Sequence, residues 1–89
     1  MDLADTAVPT AEEIADERRR KRRVRLLGDL TLSILYQQPG LDLSGAMRLV
    51  QDTRRAMLAL FPGQEQTYDL LYRPRFDRAI AERFGQAPT

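Results

Sequence analysis

Large apolar residues are distributed unevenly along this chain, and their spacing predicts where helices begin, run and stop. Residues 1–9 are small or acidic and include Pro9, which predicts a mobile tail. Thr10-Ala11-Glu12-Glu13 then has the form of a capping box: the Thr10 hydroxyl accepts from the Glu13 amide while Glu13 reaches back to the Thr10 amide. A helix is expected from Ala11, and Pro39-Gly40 forbids its continuation. Unbroken from 11 to 37 it would be roughly 40 Å long. Its two halves differ. Between Ala11 and Arg25 only Ile14 and Val24 are large and apolar, whereas Leu26, Leu27, Leu30, Ile34 and Leu35 form a broad stripe at helical spacing. Gly28 falls near the join and marks either a hinge or a close helix–helix approach, since glycine costs about 1 kcal/mol in a helix interior. Leu30-Thr31-Leu32-Ser33-Ile34 also alternates as a strand would, but helix-forming flanks and the want of a partner strand favour helix over residues 30–36.

The second helix is expected after Leu41-Asp42-Leu43-Ser44, with Asp42 or Ser44 as N-cap. Ala46, Met47, Leu49, Val50, Thr53, Ala56, Met57, Leu60 and Phe61 recur every three or four residues, and Pro62-Gly63 ends the run. A third segment starts near Gln64 with Tyr68, Leu71 and Tyr72 on one face, then Phe76, Ile80 and Phe84 at intervals of four. Pro74 between these groups either opens a separate helix or kinks a single one. Gly85 suits a helix C-terminus, and residues 86–89 read as frayed. The expected fold class is all-α, a small three- to four-helix domain with a long charged N-terminal helix. It divides into a tail (1–9), a charged helical extension (10–25), a helical core domain (26–85) with a possible dimer interface, and a frayed C-terminus (86–89).

Charge sharpens the contrast between the halves of the first helix. Residues 1–17 hold six acids and no base, and residues 18–25, RRRKRRVR, hold seven bases and no acid. The remainder balances seven acids against seven bases. The net charge of +1 therefore conceals a concentrated basic block. Asp16 and Glu17 precede Arg20 and Lys21 by four residues, the favourable order for helical ion pairs.

Composition removes most chemistry. With no cysteine, histidine or tryptophan, disulfides, thiolates, the usual zinc and haem ligands and the commonest general base are all excluded. Carboxylates such as Glu12, Glu13, Asp16 and Glu17 lie in the charged extension, away from any apolar pocket able to shift their pKa, so no enzymatic activity, cofactor or small-molecule substrate is expected. The acidic start lacks an apolar signal region, and Val24–Tyr36 is too short and too charged to span a bilayer, which makes a cytoplasmic protein the expectation.

What remains is binding. An arginine-rich helix can track a nucleic-acid backbone and grip base edges, so Arg18, Arg19, Arg20, Lys21, Arg22, Arg23 and Arg25 are the candidate nucleic-acid-binding residues of a regulatory or accessory factor. The competing readings are a protein partner or self-association, a solvated surface, and peripheral attraction to anionic lipid. The acidic residues before the block either stabilise the helix start or fold back on the bases as a brake. Tyr36, Phe61, Tyr68, Tyr72, Phe76 and Phe84 read as core, because none is interleaved with the arginines as a base-stacking platform would require. The cluster Tyr72–Arg78 could offer a second anion contact, although Arg73 and Arg75 read more simply as exposed charges beside inward aromatic rings. A helix-turn-helix across Pro62-Gly63 is disfavoured by the acidic and amide-rich start of its would-be reading helix.

Overall fold

The computed structural model describes residues 8–85, which form α1 (Ala11–Gln37), α2 (Leu43–Leu60), α3 (Glu65–Leu71) and α4 (Arg73–Phe84), with no strand among the described residues. The protein is a small all-α domain. Tail residues 1–7 and the expected frayed end 86–89 lie outside the described residues.

α1 is a single helix of 27 residues, continuous through Gly28 and through the strand-like alternation of Leu30–Ile34. Thr10 caps it as expected, its Oγ1 accepting from the Glu13 amide at 3.1 Å. The reciprocal contact differs from a standard capping box: the Thr10 hydroxyl itself donates to Glu13 Oε1 at 3.2 Å. The helix stops where Gln38 turns extended ahead of Pro39. Gly40 then takes φ +75°, a left-handed conformation that glycine adopts without steric cost. Asp42, not Ser44, caps α2, with Oδ1 accepting from the Gly45 amide at 2.7 Å. Pro74 resolves as the second residue of a separate helix, and only Tyr72 stands between α3 and α4. Gly85, at φ +70°, ends α4.

Side-chain contacts give the topology. Thr31 meets Thr53, and Arg20 reaches the far end of α2 at Leu60, so α1 and α2 run antiparallel. Gly28 lies beside Tyr72 and Tyr36 bonds Glu82, so α4 runs parallel to α1. The core consists of Leu35, Ala46, Met57, Tyr68, Phe76 and Ala79. Thr31 and Thr53 are buried with it and satisfy each other through an Oγ1···Oγ1 contact of 2.8 Å. The stacked rings of Tyr72 and Phe76, 6.1 Å apart, carry the core across the α3–α4 join.

Two expectations about the core are corrected. Leu26 and Leu30 are 67% and 54% exposed, because the inward face of α1 is centred on Gly28, Thr31 and Leu35. Small residues at Gly28 and Thr31 let α1 approach its neighbours closely. That rotation leaves Leu30 roughly 100° and Leu26 roughly 140° around the helix from Thr31. Tyr36 is likewise a surface residue, 45% exposed, its hydroxyl donating to Glu82 Oε2 at 2.8 Å.

The molecule is elongated, 57 × 26 × 15 Å. The end of α2 lies level with Arg20, so the part of α1 before Arg20 extends beyond α2 as an arm. No helix among the described residues is long and apolar enough to cross a membrane.

Candidate nucleic-acid interface

The basic block occupies the place where the arm joins the bundle, and its residues are not equivalent. Arg20 is half-buried: Nη1 donates to the Leu60 carbonyl at 3.3 Å, its guanidinium lies 5.1 Å from the centre of the Phe61 ring, and Nε sits 3.2 Å from Asp16 Oδ2. That Nε pairs with Asp16 by proximity and charge, although the geometry is too bent for a hydrogen bond. Helix ends leave carbonyls without internal partners, and a cation there also meets the negative end of the dipole. Arg20 thus caps α2 from a neighbouring helix. It is the one candidate in the block that is not fully exposed.

Arg19 and Lys21 are exposed but engaged, with Arg19 3.6 Å from Asp16 and Lys21 3.5 Å from Glu17. Such exposed pairs contribute only a few tenths of a kcal/mol, so either cation can be drawn away by a stronger anion. Arg18, Arg22, Arg23 and Arg25 are exposed and form no ion pair among the described residues. Arg18, Arg22 and Arg25 share one side of the helix, at i, i+4 and i+7, within roughly 60° of each other and about 10 Å end to end. A shallow depression between Arg19, Arg22, Arg23, Arg25, Leu26 and Asp29 lies on the outward surface next to them. The acids at positions 12, 13, 16 and 17 cap the helix start or make local pairs within α1.

Arg73 lies 3.9 Å from Asp77, both well exposed, and the Arg75 guanidinium sits 5.8 Å from the Tyr72 ring centre. α3 has only seven residues and turns Tyr68 into the core, which leaves little helix to enter a groove. No group of three carboxylates able to hold a metal ion is found among the described residues. No protein-family model, curated protein or solved structure matches this chain.

Three features escaped the sequence pattern. Arg83 of α4 closes the end of α1, its Nη1 donating to the Ile34 and Leu35 carbonyls at 3.2 and 2.9 Å and its Nη2 to the Gln38 carbonyl. α1 has no base of its own in its last turn, the one sequence signal that its end needs an outside cap. Arg20 plays the same part for α2. Finally, aromatic rings do lie against the basic helix in space: Phe61, Tyr68 and Tyr72 line a cleft with Lys21 and Arg25. Their distance in sequence from the arginines hid this.

Proposed function

We propose that this protein is a small non-catalytic accessory factor that grips nucleic-acid phosphates with the outward face of α1, chiefly through Arg18, Arg22, Arg23 and Arg25. The observation that carries this reading is the set of four exposed arginines without ion-pair partners among the described residues. Arg18 stands on the arm that extends beyond α2, and Arg22, Arg23 and Arg25 follow on the same helix where the arm joins the bundle. A solvated face whose only task is solubility has no need to leave its arginines uncompensated and clustered while the acids nearby pair with Arg19, Arg20 and Lys21. Four arginines on duplex phosphates give a log–log salt slope of roughly −3.6.

Fluorescence anisotropy with labelled duplex DNA and single-stranded RNA, taken across a salt series, tests this directly. Replacing Arg18, Arg22, Arg23 and Arg25 by glutamine should abolish binding near physiological salt with the helical circular dichroism unchanged. Wild-type protein that binds neither probe above roughly 0.1 M salt would refute the proposal.

A second reading, a protein adaptor or self-associating subunit, draws on the exposed Leu26 and Leu30, an apolar pair on α1 just past the basic block. It predicts salt-resistant association that Leu26→Ser with Leu30→Ser removes in sedimentation velocity, while the arginine variant leaves it intact.

A further inference from the structure

A mostly apolar concavity lies where the arm joins the bundle. α1, the end of α2 and α3 enclose a cleft of about 450 Å³. This falls within the range of about 300–1,000 Å³ typical of small-molecule sites. Val24, Met57, Leu58, Phe61, Leu71 and Tyr72 make its walls. Such a lining, mostly apolar and aromatic with few polar groups, is the usual composition of a site for an organic ligand.

Two kinds of polar group interrupt the apolar wall. One is Tyr68, only 5% exposed, whose hydroxyl is buried and has no hydrogen-bond partner among the described residues. A buried hydroxyl left unpaired is unfavourable, and Tyr68 is among the residues that line the cleft. The other is the rim formed by α1. Lys21 and Arg25 face the single acid Glu17 there, and Glu17 is already paired with Lys21 at 3.5 Å. Arg25 has no ion pair among the described residues, and the rest of the basic block runs along the same helix. The mouth is therefore positive while the interior is apolar. On the α3 side, Thr67 and Gln64 are hydrogen-bonded to each other at 2.9 Å and add no charge.

We propose that this cleft binds a small amphipathic anion, with an apolar or aromatic body against Val24, Met57, Phe61 and Leu71 and a carboxylate, sulfonate or phosphate head at Arg25 and Lys21. The inference shares only Arg25 with the nucleic-acid reading, because Arg18, Arg22 and Arg23 take no part in the cleft.

The test is a titration of ¹⁵N-labelled protein with decanoate below its micellar concentration, followed by amide chemical shifts. Decyltrimethylammonium, with the same tail and the opposite charge, serves as control. Saturable shifts clustered at Val24, Met57, Phe61, Leu71 and Tyr72 are expected, with the cation binding at least tenfold more weakly. Leu71→Glu alters a half-exposed wall residue and places a negative charge at the mouth. It should weaken decanoate at least fivefold while changing nucleic-acid affinity far less than Arg18→Gln with Arg22→Gln does, since Arg25 is the one residue common to both sites. Arg18→Gln with Arg22→Gln should do the reverse, so the two proposals fail separately. Several results would overturn the site: no saturation, equal binding of the cation, shifts centred on Leu26 and Leu30, or cleft shifts that track protein concentration without ligand. The last result would mean that a second copy covers the cleft.

Discussion

Replacing Gly28 by alanine sets two effects of similar size against each other, and the structure decides which prevails. Within an uninterrupted helix, alanine is favoured over glycine by about 1 kcal/mol. A Cβ built on Gly28, however, would lie 2.6 Å from Tyr72 Cε1, 3.2 Å from Tyr72 Cδ1 and 3.4 Å from Met57 Cε. The methionine methyl can swing aside, but the Tyr72 ring is rigid and stacked on Phe76. Forcing a methyl group into a well-packed contact costs about 1–3 kcal/mol. Gly28→Ala should therefore destabilise the protein by about 1 kcal/mol net. For a domain of this size that lowers the thermal midpoint by roughly 4–8 °C. Urea unfolding followed at 222 nm measures it. A second background sharpens the result: in Tyr72→Leu, where the ring is gone, Gly28→Ala should reverse sign and stabilise by up to about 1 kcal/mol. If Gly28→Ala stabilises the wild-type chain, the Tyr72 ring does not stand over α1. The placement of α3 and the cleft it encloses would then be wrong.

Other substitutions probe the remaining contacts. Tyr68→Phe should be neutral or stabilising in urea, because it deletes a buried hydroxyl without a partner. A loss above about 1 kcal/mol would show that the hydroxyl is bonded after all. Burial, aided by Asp69 and Asp77 and opposed by Arg54 and Arg73, raises the Tyr68 pKa above its ordinary value of 10.0. Below pH 10 folded and unfolded chains both keep this proton; above it the unfolded chain releases its proton first. Stability should thus decline as pH rises past 10, less steeply in Tyr68→Phe, and identical alkaline profiles would count against the assignment. Thr31→Val alone should cost about 1–3 kcal/mol by stranding the Thr53 hydroxyl, whereas Thr31→Val with Thr53→Val should recover most of it; simple additivity would deny the pairing. Arg20→Gln should cost about 1 kcal/mol of stability, and Arg22→Gln should stay within about 0.5 kcal/mol, a contrast that thermal melts can read.

The helices themselves were legible in the sequence because their signals are local. Thr10-Ala11-Glu12-Glu13, Asp42 and the two Pro-Gly pairs act within a few residues, and each stands at or beside a helix end. What α1 buries was less legible. Leucine spacing pointed to Leu26 and Leu30, but the close approach allowed by Gly28 and the Thr31–Thr53 contact turned the helix another way. A small or polar residue facing inward leaves no mark in a hydrophobic pattern. The basic block was visible at once as a run of charge, yet the division within it was not. Whether Arg20 caps α2 depends on Leu60 and Phe61, some 40 residues away in sequence. Arg83 and the cleft are hidden for the same reason.

The continuity of α1 governs how the arm meets a partner. A basic tail that is disordered when free must surrender its conformational freedom at each encounter, and in return it can wrap around what it binds. Here the arginines belong to a helix whose other half is anchored between α2 and α4, so that freedom is lost once, at folding. The arm acts as a stiff probe: quick to engage a surface that already matches it, unable to mould itself to one that does not. The burden of adaptation falls on the partner.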